Sequence, residues 1–259
     1  MPAVENVDEL DRSPVAHVGK QTVITKRVGL VTVGGVSAIL VALSLAAMRI
    51  TGLFGIERFD STEERLLYIA DNQAVYLTQQ SFMMLTFLLA VPAALGLYRA
   101  LRPAESTAVI ALAAAVAGAL IGVGGALLNM SLWARLAPSY AEAQAAARPI
   151  LEVTYETLIG VGPSHQLTWA LLSGIGVGLF SVAILRTALL PKWVAWLGLF
   201  VALAGWVHLP TAVFPTAVWD AWVFHETNFT LFNVWMLVVG VALLRLREPA
   251  SPGSREVDL

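Results

Sequence analysis

Residues 28–48 read VGLVTVGGVSAILVALSLAAM, a run of 21 residues without a charged side chain. A helix rises 1.5 Å per residue, so about 20 such residues cross the roughly 30 Å hydrocarbon core of a bilayer. Five further apolar runs follow, centred on residues 77–98, 107–130, 164–185, 193–213 and 227–244. The runs are continuous rather than alternating, and a backbone inside lipid must satisfy its own hydrogen bonds. The predicted fold class is therefore all-α, a polytopic bundle of six transmembrane helices.

The composition of the whole chain supports a membrane protein. Of its 259 residues, 58% are hydrophobic and only 13% are charged, whereas a soluble domain has about 25% charged residues. The excess apolar surface must face membrane lipids, which excludes a cytosolic enzyme. A net charge of −2 without a basic run excludes a nucleic-acid partner. Because the chain has no cysteine, disulfides, thiolate metal ligands and cysteine nucleophiles are excluded as well.

The positions of lysine and arginine predict the orientation of the bundle, because these residues are enriched in cytoplasmic loops. Five lie at the ends of odd-numbered spans or in the connections that follow them: Arg49, Arg58, Arg65, Arg135 and Arg148. Eleven lie on the opposite side: Arg12, Lys20, Lys26, Arg27, Arg99, Arg102, Arg186, Lys192, Arg245, Arg247 and Arg255. This asymmetry predicts that both termini are cytoplasmic, in a cytoplasmic (plasma) membrane.

The chain divides into three parts. Residues 1–27 are polar, with an acidic patch between Glu5 and Asp11, and predict a disordered cytoplasmic tail. Residues 28–246 form the six-helix transmembrane domain, and residues 247–259 predict a second disordered cytoplasmic tail. The first apolar run is longer than the apolar part of a cleaved signal peptide, so we interpret it as a retained signal-anchor.

Two connections on the predicted outer side are long, roughly residues 50–76 and 131–163. In the first, Ser61 or Thr62 followed by Glu64 has the spacing of a capping box and predicts a helix that runs into the second span. In the third connection, residues 139–148 favour a helix that stops at Pro149. Residues 150–159 predict a segment on the outer surface. We therefore expect short extracytoplasmic helices in the first and third connections.

Small residues with a spacing of four recur in the spans, at Gly118 with Gly122 and at Gly174 with Gly178. Such pairs let two helix backbones approach closely. We interpret them as contacts within the bundle rather than as a dimer seam, although a homo-oligomer is left open.

Polar side chains within the apolar runs are concentrated near their outer ends. Because polar groups at membrane depth are costly and tend to mark sites, we predict an outward-facing cavity that binds a lipophilic or amphipathic small molecule. The candidate ligand-binding residues are Asn72, Tyr76, Gln79, Gln80, Asn129, Trp133, His165, Gln166, Trp169, Trp206, His208, His225 and Asn233. The alternative interpretation is an interfacial aromatic belt with polar helix ends that bind only water and head groups.

Two other classes of function are left open. In an intramembrane enzyme, His165, His208 and His225 are candidate metal ligands for a hydrolase, and the first two are candidate axial ligands of a haem. Asp220 and Glu226, near Trp219 and Trp222, are candidate catalytic acids for an isoprenoid cyclase. In the third class, the protein is a structural subunit of a membrane complex. No cofactor is assigned.

The block from Leu190 to Gly198, with the sequence LPKWVAWLG, follows a glycine-rich fourth span. It resembles bacterial six-helix membrane proteins known only as domains of unknown function, which carry a similar hairpin between spans four and five. The resemblance covers residues 28–246 and implies the bundle fold and a membrane location. It carries over no catalytic residue. The richness in alanine, valine and glycine is typical of a high-GC bacterium such as an actinomycete.

Overall fold

The computed structural model describes residues 29–53, 59, 61–160, 163–213 and 221–246. The backbone alone is described for residues 53, 160, 163–165, 207–213 and 221–226. Within these ranges the chain is all-α, as predicted. The helices are α1 (Leu30–Leu53), α2 (Thr62–Asp71), α3 (Gln73–Ala100), α4 (Glu105–Ser131), α5 (Ala137–Glu142), α6 (Arg148–Gly160), α7 (Pro163–Trp169), α8 (Gly178–Thr187), α9 (Lys192–Val213) and α10 (Ala221–Arg245).

Two π-helical segments join successive helices without a loop. Leu132–Leu136 continues α4 into α5, and Ala170–Val177 continues α7 into α8. In a π-helix each N–H bonds to the carbonyl five residues earlier instead of four, so the side chains beyond the segment are rotated relative to a regular α-helix. Both segments therefore change which residues face the bundle.

In the part of the chain that the structure describes, five helical stretches are long and apolar enough to cross a membrane. They include α1, α3, α4, α10 and the rod formed by α7 and α8, and a shorter apolar stretch, Lys192–Trp206, lies in α9. These six rods form a closed ring in chain order, each packing against the rods before and after it, with α10 returning to α1. The protein is therefore built as a membrane-embedded helical bundle.

Close backbone contacts hold the ring together. A Cβ built on Gly34 would lie 2.5 Å from the Cα of Gly96, so α1 and α3 touch through their backbones. A Cβ built on Gly118 would lie 2.8 Å from the backbone nitrogen of Leu172, so α4 meets the π-helical segment Ala170–Val177 in the same way. The interpretation of Gly118 as a contact within the bundle is confirmed, because only glycine allows this approach.

The LPKWVAWLG block contains the start of α9, where one side of the helix is buried and the other is exposed. Val194 and Ala195 are fully buried, whereas Trp193 and Trp196 are exposed on the outside of the ring. The indole Nε1 of Trp235 on α10 donates to the carbonyl oxygen of Val194 at 3.1 Å. The block thus joins α9 to α10 through its buried face.

The helices α2, α5 and α6 pack together over one end of the bundle, which we call the cap end. Their buried side chains form a second core with the π-helical segment Leu132–Leu136, comprising Leu66, Ile69, Leu132, Trp133, Ala137, Tyr140 and Tyr155. The predicted start of the helix at Ser61 is confirmed, because the side chain of Ser61 accepts from the backbone N–H of Glu64 at 3.1 Å. The opposite end, with the connections at residues 101–104 and 188–191, is the short-loop end.

The predicted helix over residues 139–148 is wrong. The helix α5 ends at Glu142, and Pro149 lies in the first turn of α6 instead of terminating a helix. Proline is tolerated at that position because the first N–H groups of a helix have no intrahelical acceptor. The chain reverses between the two helices so that the hydroxyl of Tyr140 donates to Glu152 Oε1 at 2.5 Å.

Candidate functional site

A cavity of about 350 Å³ lies at the cap end, between α3 and α4 and beneath the end of α6. Its volume is in the range of small-molecule sites. Its lining combines polar and apolar side chains from α2, α3, α4, the segment Leu132–Leu136, α6 and α7: Arg65, Gln80, Met83, Phe87, Gly122, Gly125, Ala126, Leu128, Asn129, Trp133, Leu158, Ile159 and Thr168.

The cavity exists because one face of α4 carries small side chains. Gly122, Ala126, Asn129 and Trp133 recur at intervals of three or four residues, so they form one stripe along the helix. The first two leave space opposite α3, and the last two line that space on the cap side. The ring of Phe87 contacts Gly122 and closes the cavity toward the centre of the bundle.

Two amide side chains in the cavity have unused hydrogen-bonding capacity. Gln80 is 9% exposed, and Asn129 is half-buried. In the described part of the chain, no hydrogen bond from another residue reaches either amide group. Buried polar groups normally have partners, because an unpaired group costs about 1–3 kcal/mol. These amides are therefore available to a molecule in the cavity.

Trp133 adds a buried donor to the same wall. It is 6% exposed, and its indole Nε1 has no hydrogen-bond partner among the described residues. The ring is held by Tyr76, whose centroid lies 5.0 Å away in an edge-to-face arrangement. Gln73 Nε2 also donates to the backbone carbonyls of Trp133 and Ala134, each at 3.1 Å. The wall is thus positioned by protein contacts, and the indole N–H itself is shielded from the cavity.

Arg65 supplies the positive charge of the site. It is an exposed residue of α2 whose guanidinium carbon lies 5.7 Å from the centre of the Tyr155 ring on α6. Burial raises the pKa of the Tyr155 hydroxyl above 10.0, although the charge of Arg65 and the nearby Trp133 N–H oppose the shift. No hydrogen bond within ordinary geometry joins Trp133 and Tyr155. The phenol therefore stays neutral at physiological pH.

Two acidic residues of the cap have other partners. Glu63 pairs with Arg148 at 3.2 Å, and Glu156 accepts from the hydroxyl of Thr62 at 2.7 Å. Among the described residues, no carboxylate lies within 4.0 Å of the Arg65 guanidinium. The cavity therefore has a cation at its cap side that forms no ion pair with the described residues.

Three of the candidate ligand-binding residues meet in this cavity: Gln80, Asn129 and Trp133. Tyr76 supports the Trp133 ring from behind. Asn72 lies at the break between α2 and α3, where its Nδ2 donates to the carbonyl oxygen of Tyr68 at 3.0 Å. Gln79 points toward α1 instead, since its Nε2 would lie 2.8 Å from a Cβ built on Gly52.

Trp169 lies in the core of the bundle and does not line the cavity. It is 0% exposed, and its ring packs against Phe87, Phe229 and Phe232 with centroid distances of 6.0, 4.3 and 5.4 Å. A Trp→Ala change in a core typically costs about 3–5 kcal/mol. Trp169→Ala is therefore expected to destabilise the bundle itself.

The remaining described candidates are dispersed. Trp206 is exposed on α9 beside Gly174, and Asn233 is half-buried on α10. Gln166 is half-buried on α7, where its Oε1 is shielded from solvent and has no partner among the described residues. None of these three lines the cavity.

The histidine and acid candidates lie outside the described residues or side chains. Asp220 is not described, and only the backbone is described for His165, His208, His225 and Glu226. Among the residues whose side chains are described, no group of three or more His, Asp or Glu side chains is arranged to hold a metal. The metal and cyclase hypotheses thus stay predictions.

Three polar residues that line the cavity or are buried are missing from the sequence-based candidates. The candidates Asn72, Tyr76 and Gln80 lie four residues apart, on one face of a helix. Arg65 precedes Asn72 by seven residues, or two helical turns, so continuing this face toward the N-terminus would have found it. Thr168 lines the cavity from α7. Asn228 is 0% exposed and donates to Ser173 Oγ at 3.3 Å, while its Oδ1 has no partner in the described part of the chain. No sequence spacing distinguishes Thr168 and Asn228.

Comparison with known proteins identifies a family without an assigned activity. A family model described as "Domain of unknown function (DUF4386)" matches residues 38–244. No curated protein and no solved structure matches the chain. The predicted resemblance to a family of unknown function is confirmed.

Proposed function

Because this chain belongs to the DUF4386 family, which has no assigned activity, we propose a function from the cavity itself. The protein binds a small amphipathic molecule in this cavity, within the membrane. The observation that carries the proposal is the pair of amides, Gln80 and Asn129, which line a mostly apolar cavity and have no hydrogen bond from the part of the protein that the structure describes. Binding sites of this kind bury a ligand in apolar surface and orient it with a few polar groups.

The cavity has a polar end and an apolar end. Gln80 lies seven residues before Phe87 on α3, which is about 10 Å along a helix. The amides and Trp133 therefore lie toward the cap, and Met83, Phe87 and Ala126 lie toward the centre of the bundle. A molecule with one polar end and one apolar end matches this gradient.

The same proposal includes the placement of the bundle. Six spans, both termini in the cytoplasm and the cap on the outer side of a bacterial plasma membrane would bring the cavity to the outer leaflet. The ring of six rods in chain order supports this arrangement. The 22 residues of α9 reach about 33 Å, enough for a sixth span. The excess of lysine and arginine at the short-loop end supports the orientation.

Filling the cavity is the direct test of ligand binding. Ala126 is buried and lines the cavity, so Ala126→Phe occupies the space that a ligand would use. Leu127, the next residue, is 50% exposed on the outside of the ring, and Leu127→Phe is the matched control. The protein would be purified in a mild nonionic detergent, and the amphiphiles it retains would be measured by native mass spectrometry.

We expect wild type and Leu127→Phe to retain the same amphiphile, and Ala126→Phe to retain at least about tenfold less. Unchanged helical circular dichroism and elution volume would show that the variant folds. Equal retention by a folded Ala126→Phe variant would contradict the proposed function, because the cavity would then not be the binding site.

A further inference from the structure

The charge balance of the cavity restricts the chemistry of its ligand. Arg65 is cationic at every physiological pH, and no aspartate or glutamate lines the cavity among the described residues. Its described neighbour across the cap is the neutral ring of Tyr155. Two acids of α2 and α6 have other partners, since Glu63 pairs with Arg148 and Glu156 accepts from Thr62. Among the described residues, the Arg65 guanidinium thus has no carboxylate within 4.0 Å.

The hydrogen-bonding groups of the cavity are mainly donors. The Arg65 guanidinium carries five N–H groups, and the amides of Gln80 and Asn129 carry two each. The acceptors are the two amide oxygens and the hydroxyl of Thr168. A donor-rich wall beside a cation complements a head group that accepts several hydrogen bonds and carries negative charge.

The apolar part of the cavity restricts the other end of the ligand. Its volume of about 350 Å³ lies at the small end of the range for ligand pockets, which is about 300–1,000 Å³. The ring of Phe87 against Gly122 closes it toward the bundle centre. This space accommodates a single alkyl chain rather than the two chains of a phospholipid.

We propose that the ligand is a single-chain amphiphile with an anionic oxygen head group, a carboxylate or a phosphate ester, and that Arg65 binds this group. The inference rests on the proposed function of the cavity. Gln80 and Asn129 would donate to the remaining head-group oxygens, and the chain would lie along Met83 and Ala126. Arginine suits this role because its planar fork can donate two parallel hydrogen bonds to either anion.

The test compares three probes that share one chain and differ in the head group: dodecanoate, dodecyl phosphate and dodecanol. Their binding to the full-length protein in nonionic detergent would be measured by native mass spectrometry. The variants are Arg65→Gln, which removes the charge, and Arg65→Lys, which keeps the charge but lacks the planar guanidinium that donates two parallel hydrogen bonds. Arg135→Gln removes an exposed charge at the same end of the bundle, outside the cavity lining, and is the matched control.

We expect wild type to bind at least one anionic probe about ten- to a hundredfold more tightly than dodecanol, the range for a hydrogen bond to a charged group. Arg65→Gln should lose this preference while binding dodecanol as before, Arg65→Lys should be intermediate, and Arg135→Gln should match wild type. Tighter dodecanoate would identify a carboxylate ligand, and tighter dodecyl phosphate a phosphate ester. Either result supports the proposal.

The inference would be overturned if dodecanol bound wild type as tightly as both anions. It would also fail if Arg135→Gln weakened anion binding as much as Arg65→Gln, since any surface charge would then suffice. In these cases the Ala126→Phe variant separates the two proposals. If it blocks dodecanol, the cavity still binds amphiphiles and only the head-group inference is wrong; if it blocks no probe, the proposed function is wrong.

Discussion

The ring of Phe87 lies directly against the backbone of Gly122, so that a Cβ built on Gly122 would come within 2.7 Å of two ring carbons. This contact forms the floor of the cavity. The ring has little freedom to retreat, because Phe87 is buried and packs against Trp169 on its other side. The floor therefore depends on the absence of a side chain at residue 122.

Gly122→Ala is expected to destabilise the folded protein by about 1–3 kcal/mol, the usual cost of overpacking a core. Gly124→Ala is the matched control, because a Cβ built there meets nothing within 4 Å. It should be neutral or stabilise by up to about 1 kcal/mol, since alanine favours a helix over glycine. Unfolding by sodium dodecyl sulfate, followed by circular dichroism, measures both. Equal midpoints for the two variants would mean that Phe87 adjusts without strain.

The stability of the cap should fall at alkaline pH because of Tyr155. Burial raises the pKa of this phenol above its unfolded value of 10.0, so the folded state favours the neutral form. The stabilising contribution is fully present below about pH 10 and is lost as the pH rises from there through the folded pKa. Thermal unfolding at about pH 9 and about pH 11 should therefore show a decrease in Tm for wild type.

Tyr155→Phe removes the ionisable group and should show a smaller decrease between the same two pH values. Tyr68→Phe, on the neighbouring helix α2, is the control and should keep the wild-type decrease. If Tyr155→Phe lost as much stability at high pH as wild type, the alkaline effect would have another origin.

The orientation of the bundle can be tested by introducing single cysteines, because the natural chain has none. Ala145, between α5 and α6, is exposed at the cap end, and Ser106, near the start of α4, is exposed at the short-loop end. In intact cells a membrane-impermeant maleimide should label Ala145→Cys and should label Ser106→Cys only after the membrane is permeabilised. The reverse pattern would place the cap in the cytoplasm and would contradict the proposed topology.

Much of the bundle could be predicted from the sequence, because each span must by itself be long and apolar enough to cross the bilayer. Residues 30–48 of the first uncharged run lie within α1, and the predicted run 107–130 lies within α4. The Ser61 cap of α2 was also predictable, because it depends on residues three apart. Pro149 shows where local rules fail: the same residue can end one helix or begin the next, and the contact between Tyr140 and Glu152 decides.

Two tryptophans near the candidate site also show the limit of local sequence patterns, because they have similar sequence surroundings and different positions in the structure. Trp133 follows the third apolar run and Trp169 lies near the start of the fourth, and both have polar neighbours. The first lines the cavity, whereas the second is buried among phenylalanines of the core. Which side chains of a helix face the core depends on the helices that pack against it. The π-helical segments rotate the side chains that follow them, and no local pattern predicts these segments.

The sequence by itself determined that the chain is an all-α membrane protein and where its apolar helices run, because the scarcity of charge is a local property of each segment. Only the tertiary structure decided that Arg65, Gln80, Asn129 and Trp133 share one cavity while Gln79 and Trp169 do not. The physical reason is that a cavity is formed by faces of helices distant in the chain. Which faces meet is determined by packing, here by the small side chains of α4 opposite Phe87.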